Sequence, residues 1–592
     1  MPVDFAGRGG RDGVPVTLIS ETTDVRAPAS GYDVVVIGGG VGGLVSAALL
    51  GRAGRRVAVL EMADQPGGYL AGYRRGGFRF DASLHWLNQC GEDGFVRRVF
   101  RAIGPDYPPA TPWIRIRGYP ARDRCFVLTH RPDELRDELI AAFPREAAGL
   151  RRFFRDARAL SDAFARHTAH FRDLQTRGPL GRIVHGVDRA RVGFAFLPHL
   201  FYSGDRGVER GLRRYFRDEG LLGLWAAQDD ILSCLIPIAW AYRGDYQHPP
   251  AGGGRRIPEW LVRAMGACGN AVHCRTRALR ILANGREANG VVALCDGRER
   301  LFRARHVVAA CDVETLYDRL LPPGTCRPGL RARLRNAVLH SSAVTLAIGL
   351  DCPAEALGLD ETMRLVAEDG VSRAARKSGD PHTGNLCLVA PSVCDKSLAP
   401  EGKGTLVVFA PAYFHQFDTW GTTRDAAGEI VRGARYRQVK QAYAEIMLDR
   451  VERALGRGIR SHIAHLSVAT PITHYRYTGN REGSMMGARP VGANYRARIA
   501  HYRTPLRNVW LTGHWASVGG GVPMAVATAA NSTLLLLQQE HRAAARALGA
   551  YFDGALAAEA LDRHPAWQGG TRHEAGAAAA ERGIEEEKGA GI

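Results

Sequence analysis

The stretch YDVVVIGGGVGGLVSAALLGRAGRRVAVLE, residues 32–61, constrains the fold more than any other part of the chain. The continuous apolar run from Val34 to Ile37 reads as a buried strand and the glycines after it as a tight turn. The pattern through Leu50 reads as a helix, and Val57 to Leu60 as a second strand. The unit is β-α-β. Gly38, Gly40 and Gly43 satisfy G-x-G-x-x-G. The first glycine permits the turn. The second, flanked by Val41 and Gly42, lets backbone approach a pyrophosphate, and the third packs helix against strand. The helix start adds N–H groups and the positive end of a dipole. Glu61, 18 residues after Gly43, closes the second strand, where a carboxylate accepts hydrogen bonds from a ribose.

Two further glycine-dense segments point from NAD toward FAD. Gly67 and Gly68 offer a second unshielded piece of backbone soon after Glu61. Far along the chain, NVWLTGHWASVGGGVPMAVATAANSTLLL repeats the design: a strand from Val509 to Thr512, a glycine turn, then a helix starting near Gly521 to Met524. Two glycine-rich helix starts at opposite ends of one chain suit a long, two-headed ligand.

Length and composition bound the rest. A chain of 592 residues exceeds what one core usually supports, so at least two structural units are expected. The net charge of +19 comes almost wholly from arginine, the lysines being Lys377, Lys396, Lys403, Lys440 and Lys588. These arginines are spread without a basic-aromatic module, which argues against nucleic acid as partner. A basic face would still add to apolar contact with an anionic membrane surface. Eleven cysteines without a Cys-x-x-Cys pair predict reduced, mostly buried thiols and no metal knuckle. No segment reads as a signal peptide or a membrane span, which predicts a cytoplasmic protein, peripheral on the inner face of the membrane if it meets one.

The three glycine segments resemble the phytoene desaturase family of FAD-dependent oxidoreductases, which includes carotenoid isomerases and retinol saturases. The opening match runs through Gly38, Gly40, Gly43, Glu61, Gly67 and Gly68, and the closing one through Gly513, Gly519, Gly520 and the following helix. ATPITHYRYTGNREGSMMG, residues 469–487, and SSAVTLAIGLD are similar to segments these proteins carry. GGGVP and FDASLHW resemble the saturase-like bacterial branch.

The resemblance implies an α/β fold: a discontinuous Rossmann-like FAD-binding domain with an inserted α+β substrate domain. The expected division is an extension over 1–30, FAD-binding parts over 31–105, 251–335 (a β meander) and 466–545, and substrate-domain parts over 106–250 (largely helical) and 336–465. A C-terminal helix and disordered tail follow over 546–592. FAD would lie with its adenosine near Glu61 and its isoalloxazine near Gly513 and Gly520. The backbone N–H groups around Gly521 and Val522 would stabilise negative charge on the reduced ring. Pro523, close to the first turn, lacks an N–H that would be unpaired there anyway.

The implied function is desaturation, saturation or cis-trans isomerisation of a carbon–carbon double bond in a hydrophobic polyene or isoprenoid, carotenoid-like or retinoid-like. Its binding would come from a long apolar tunnel. A flavin amine oxidase and a non-enzymatic prenyl or lipid binder of the same fold, like the Rab GDP-dissociation inhibitors, are the alternatives. In FDASLHWL, residues 80–87, Asp81 reads as a carboxylate accepting backbone N–H groups. His85 reads either as a packing residue near the cofactor or as a catalytic proton donor beside the reacting double bond. His474 and Tyr475 could face the ligand or form a polar turn. His514 and Trp515 could line the pocket or simply pack. DDILSCLIPIAWAYRGDY, residues 229–246, is the most apolar segment and reads as substrate-domain core or as a hydrophobic mouth docking on a bilayer.

Overall fold

A computed structural model of the protein describes residues 31–568, apart from 122, 123, 203, 204, 226, 227, 229, 369 and 427. The expected N-terminal extension and the tail from Gly569 lie outside the described residues.

The apolar run that opens the chain forms the Tyr32–Ile37 strand, buried at all but one position because it is flanked on both edges and covered on both faces. It pairs in parallel with Val57–Leu60 on one side, Val34 opposite Val57 through Ile37 opposite Leu60. On the other side it pairs with the end of the Arg298–Ala309 strand, Val34 opposite His306 through Ile37 opposite Ala309. Ala271–His273 extends this parallel sheet beyond Val57–Leu60, and Val509–Leu511 extends it beyond Val307–Ala309. Three distant stretches of chain thus build one sheet.

The region read as a meander of short strands contains one that is twelve residues long. Its first half pairs antiparallel with Glu287–Cys295, which in turn pairs with Thr276–Asn284. Its last residues join the parallel sheet. One strand therefore couples the meander to the strand that carries the glycine loop.

A second seven-stranded sheet runs in the order 463–469, 342–350, 404–412, 386–389, 363–366, 115–120, 125–129. The Ser342–Leu350 strand is buried throughout. Val344, Leu346, Ile348 and Leu350 pack with Tyr443, Met447 and Val451 of the Ala434–Leu455 helix, whereas Ala343 and Thr345 face a cavity.

The Arg-, Phe- and Leu-rich middle is helical, with Ala147–Ala169, Pro179–Phe196 and Ile231–Tyr242 as its longest members. The last of these takes up most of the apolar 229–246 segment. Ile231, Cys234, Leu235, Ile238, Ala239 and Ala241 are buried against Phe153, Phe154 and Trp225. That segment is core, and the bilayer-docking alternative for it falls because its apolar side chains point inward. All eleven cysteines are free, five of them buried.

Candidate active site

The glycine loop is shaped by what each glycine faces. A Cβ on Gly43 would sit 2.1 Å from the Gly38 carbonyl oxygen, so this position lets the Val41–Arg52 helix close on its own strand. A Cβ on Gly42 would lie 2.8 Å from Gly513 Cα, which brings the opening helix against the closing segment. Gly40 differs: a Cβ there would meet nothing within 4 Å. It is bare backbone beside open space.

That space is one cavity of about 4040 Å³. Gly38, Gly40, Val41, Gly42, Glu61, Gly67 and Gly68 line it, as do Gly513, Gly520, Gly521, Val522, Pro523 and His85. Gly43 alone among the expected cofactor residues does not, in keeping with its packing role. Gly67 N–H donates to the Gly39 carbonyl (2.8 Å), and a Cβ on Gly68 would lie 3.4 Å from Gly40 Cα, so the second glycine pair rests directly on the first loop.

Two helices begin at this wall. Neither Val41–Arg52 nor Gly521–Glu540 has a side chain capping its N-terminus. Their first N–H groups therefore have no side-chain partner at the wall. In the closing run, Gly519 and Gly521 take φ of +127° and +78°, and a Cβ on Gly520 would strike Met486 at 2.3 Å. Only glycines fit all three positions. Pro523 falls in the first turn as expected. Glu61 uses one carboxylate oxygen to accept Gly39 N–H (2.7 Å) and the other to accept Ala63 N–H (2.8 Å). Burial raises its pKa. These bonds hold the carboxylate beside the loop.

His85 lies flat against Phe409, ring centroids 4.0 Å apart and planes within 3°. Its partly accessible edge faces the cavity, and desolvation lowers its pKa to about 4. The imidazole is neutral at pH 7, so a donor here is a neutral N–H rather than an imidazolium. Asp81 lies outside the cavity wall. It accepts Gly254 N–H (2.9 Å), and burial raises its pKa to about 7.

Within the 469–487 segment, Pro471–Thr478 forms a helix where a polar turn was the alternative. Thr470 and Thr473 form a reciprocal cap, Pro471 occupies the first turn, and Gly479 ends the Pro471–Thr478 helix in a left-handed conformation. His474 is buried, 5.9 Å from the Tyr69 ring, with a pKa lowered to about 4 and an unpartnered Nε2 in the cavity wall. His514 and Trp515 also line the cavity. Trp515 donates to Asn480 (3.3 Å), and His514 packs so close that a Cβ on Gly487 would meet its ring at 2.7 Å.

Sequence reasoning missed four wall residues. Tyr69 donates to the Ser484 carbonyl (2.8 Å). Asp245, whose pKa burial raises to about 6, accepts Gln89 N–H (2.5 Å). Arg117 and Phe409 come from strands far apart in the chain. Arg117 and Phe409 belong to no local motif, and Tyr69 and Asp245 sit in segments singled out for other features. Metal-ligand spacing was absent from the sequence, yet His248, Glu361 and Cys394 bring ligand-type atoms within 4.8 Å of one another.

A parallel sheet with two uncapped helix starts opening on one cavity is the arrangement of the Rossmann-like class. Residues 36–103 match the family model for the NAD(P)-binding Rossmann-like domain. The chain is 24% identical over 513 residues to all-trans-retinol 13,14-reductase of Danio rerio, covering 81% of this chain and 82% of that one. It is 25% identical over 484 residues to the chloroplastic prolycopene isomerase of Daucus carota, covering 78% and 72%. Among solved structures, cyclohexylamine oxidase from Brevibacterium oxydans superposes with a TM-score of 0.52 at 14% identity, covering 86% of this chain and 100% of that one, a likeness of fold. The chain is thus a homologue of the retinol reductases and prolycopene isomerases over most of its length.

Proposed function

We propose that the protein binds FAD and acts on a carbon–carbon double bond of a polyene or isoprenoid by desaturation, saturation or cis-trans isomerisation. The observation that carries this reading is the continuity of the cavity. It begins at the glycine walls and runs onto a face of the second sheet bearing Met363, Leu365, Cys387 and Phe409. Its volume of about 4040 Å³ leaves room for a long substrate beside a dinucleotide.

The bare Gly40 fits a pyrophosphate, and the uncapped start of Gly521–Glu540 fits the electron-rich edge of a reduced flavin ring. FAD, when bound, supplies hydride transfer at its N5. The chain's own residues then position the apolar substrate, exclude water, and present His85, His474 and Tyr69 as neutral hydrogen-bonding groups along the wall.

Among the described residues, no helix is long and apolar enough to cross a membrane. An apolar stripe nevertheless lies open on the Pro179–Phe196 helix and the turn after it: Ile183, Val187, Phe194, Leu197 and Phe201. Phe194 is 71% exposed and Phe201 74%, with Arg182 and Arg191 exposed beside them. His185 of the same helix faces the cavity. A helix with this arrangement suits the headgroup boundary of a bilayer, from which an apolar substrate would pass into the cavity without crossing water.

The test is expression in cells making different polyenes, following product masses. Loss of two hydrogens, gain of two, or altered geometry at constant mass names the reaction. A protein that leaves all polyenes unchanged, while amines bleach its flavin, sinks the proposal.

A further inference from the structure

The cavity wall holds a cation without a counter-charge. Arg117, on the Arg115–Pro120 strand, lines the cavity, and its buried Nε has no hydrogen-bond partner. Among the described residues no carboxylate lies within ion-pair distance of it. Its polar surroundings are the Tyr119 and Tyr246 phenols and the Cys387 thiol, all of which burial keeps protonated. The Tyr119 hydroxyl shares a hydrogen bond with the guanidinium, but a phenol carries no charge to offset it.

Three other largely buried arginines have a carboxylate partner. Arg450 meets Glu368 (2.7 Å) and the carbonyls of Pro381 and Gly384. Arg172 meets Asp553 and the carbonyls of Gly549 and Thr176. Arg481 meets Glu314 (2.8 Å) and the Leu334 carbonyl. A guanidinium cannot shed its proton, so the charge of Arg117 stays without a counter-charge unless something in the cavity answers it.

The register of the second sheet says where that something lies. Arg117 is opposite Met363, Leu365 is opposite Cys387, and Cys387 is opposite Phe409, on which His85 stacks. All of these side chains line the cavity. Three strand spacings separate the Phe409 strand from that of Arg117, about 14 Å across the sheet.

We propose that the substrate ends in a carboxylate, which Arg117 binds, and that its apolar chain lies across this sheet face toward His85. This rests on the polyene reading and narrows it to polyene or isoprenoid acids. A guanidinium takes a carboxylate through two parallel N–H···O bonds, and the apolar surroundings strengthen them. A diphosphate would need more cations than this single one.

The experiment measures binding to the flavin-loaded protein by quenching of its tryptophan fluorescence, with Trp86 and Trp240 in the wall as reporters. The probes are all-trans-retinoic acid, its methyl ester and geranylgeranyl diphosphate. The acid is expected to bind at least tenfold tighter than the ester. Arg117→Met should abolish that preference, and Arg117→Lys should restore part of it, with circular dichroism and flavin content unchanged. If Arg117→Met does not fold, the comparison of acid and ester on the unaltered protein decides alone. Equal binding of acid and ester, binding of neither, tightest binding of the diphosphate, or a preference that survives Arg117→Met overturns the inference. Turnover of neutral polyenes without any preference for the acid leaves the polyene reading standing and removes only the carboxylate. A preference for the acid with no polyene ever changed in mass or geometry does the reverse.

Discussion

The His85 imidazole and the Phe409 ring form a parallel stack, 4.0 Å between centroids, at the place where the second sheet meets the FDASLHWL segment. The stack fixes the plane of a neutral histidine whose free edge looks into the cavity. His85→Gln is therefore expected to keep the flavin spectrum and lower turnover about a hundredfold, as loss of a positioned proton-handling group does. Steady-state rates beside the absorption spectrum check it, and unchanged rates would leave His85 with packing alone.

The glycine loop separates folding from cofactor binding. Gly43→Ala places a methyl group against the Gly38 carbonyl and should cost about 3 kcal/mol of stability, read from denaturant unfolding. Gly40→Ala, at φ −69° with open space around it, should leave the stability of the flavin-free protein within about 1 kcal/mol. Its flavin content after purification should nonetheless fall. A Gly40→Ala protein that retains flavin fully would remove the pyrophosphate from this loop.

Replacing Phe194 and Phe201 together by aspartate should abolish sedimentation with anionic phospholipid vesicles. Burial of each phenylalanine contributes roughly 1.5–3 kcal/mol, so the pair is worth more than about a hundredfold in partitioning. Thermal stability should not change, because both side chains are exposed already. Vesicle binding that persists in the double variant would place the membrane contact elsewhere.

His85, His340, His474 and His514 all have pKa values lowered to about 4 by burial. The unfolded chain takes up protons on them near pH 6.5 that the folded chain refuses until about pH 4. Their stabilising contribution is thus complete above pH 6.5 and is lost as pH falls through that window, by up to about 1.4 kcal/mol per pH unit for each proton. Asp81, raised to about 7, works in the opposite sense and loses its contribution as pH rises. A single replacement isolates one group: His474→Gln should gain stability relative to the parent protein as pH drops from 7 to 5, measured by unfolding at each pH. A constant difference would show that His474 takes up its proton at the same pH in the folded protein as in the unfolded chain.

What the sequence made legible was local. The β-α-β unit is read from residues 32–61 because strand, turn, helix and strand follow one another without interruption. The closing helix is read for the same reason. Arg117 and Phe409 stayed hidden because they share a face only through strands at 363–366 and 386–389. No window along the chain contains that row. Residues 229–246 attracted the membrane reading by being the most apolar, yet apolarity on all sides marks a core helix. The stripe at Ile183, Val187, Phe194 and Phe201 was diluted by intervening arginines and glycines, and only the helix and its neighbours show which side is left open. His474 kept two readings, facing the ligand or a polar turn, because Thr470 and Thr473 were not recognised as a reciprocal cap.

The parallel sheet has a consequence for the order of events during synthesis. The strand that carries the glycine loop is made first, but its neighbour Arg298–Ala309 arrives some 270 residues later and Val509–Leu511 some 200 later still. The second helix start comes last of all. A ribosome has made nearly the whole protein before both glycine walls of the cavity can exist. On the proposed reading, loading FAD is therefore a closing act of biogenesis, and a nascent chain halted before residue 509 has half a grip and nothing to close it on.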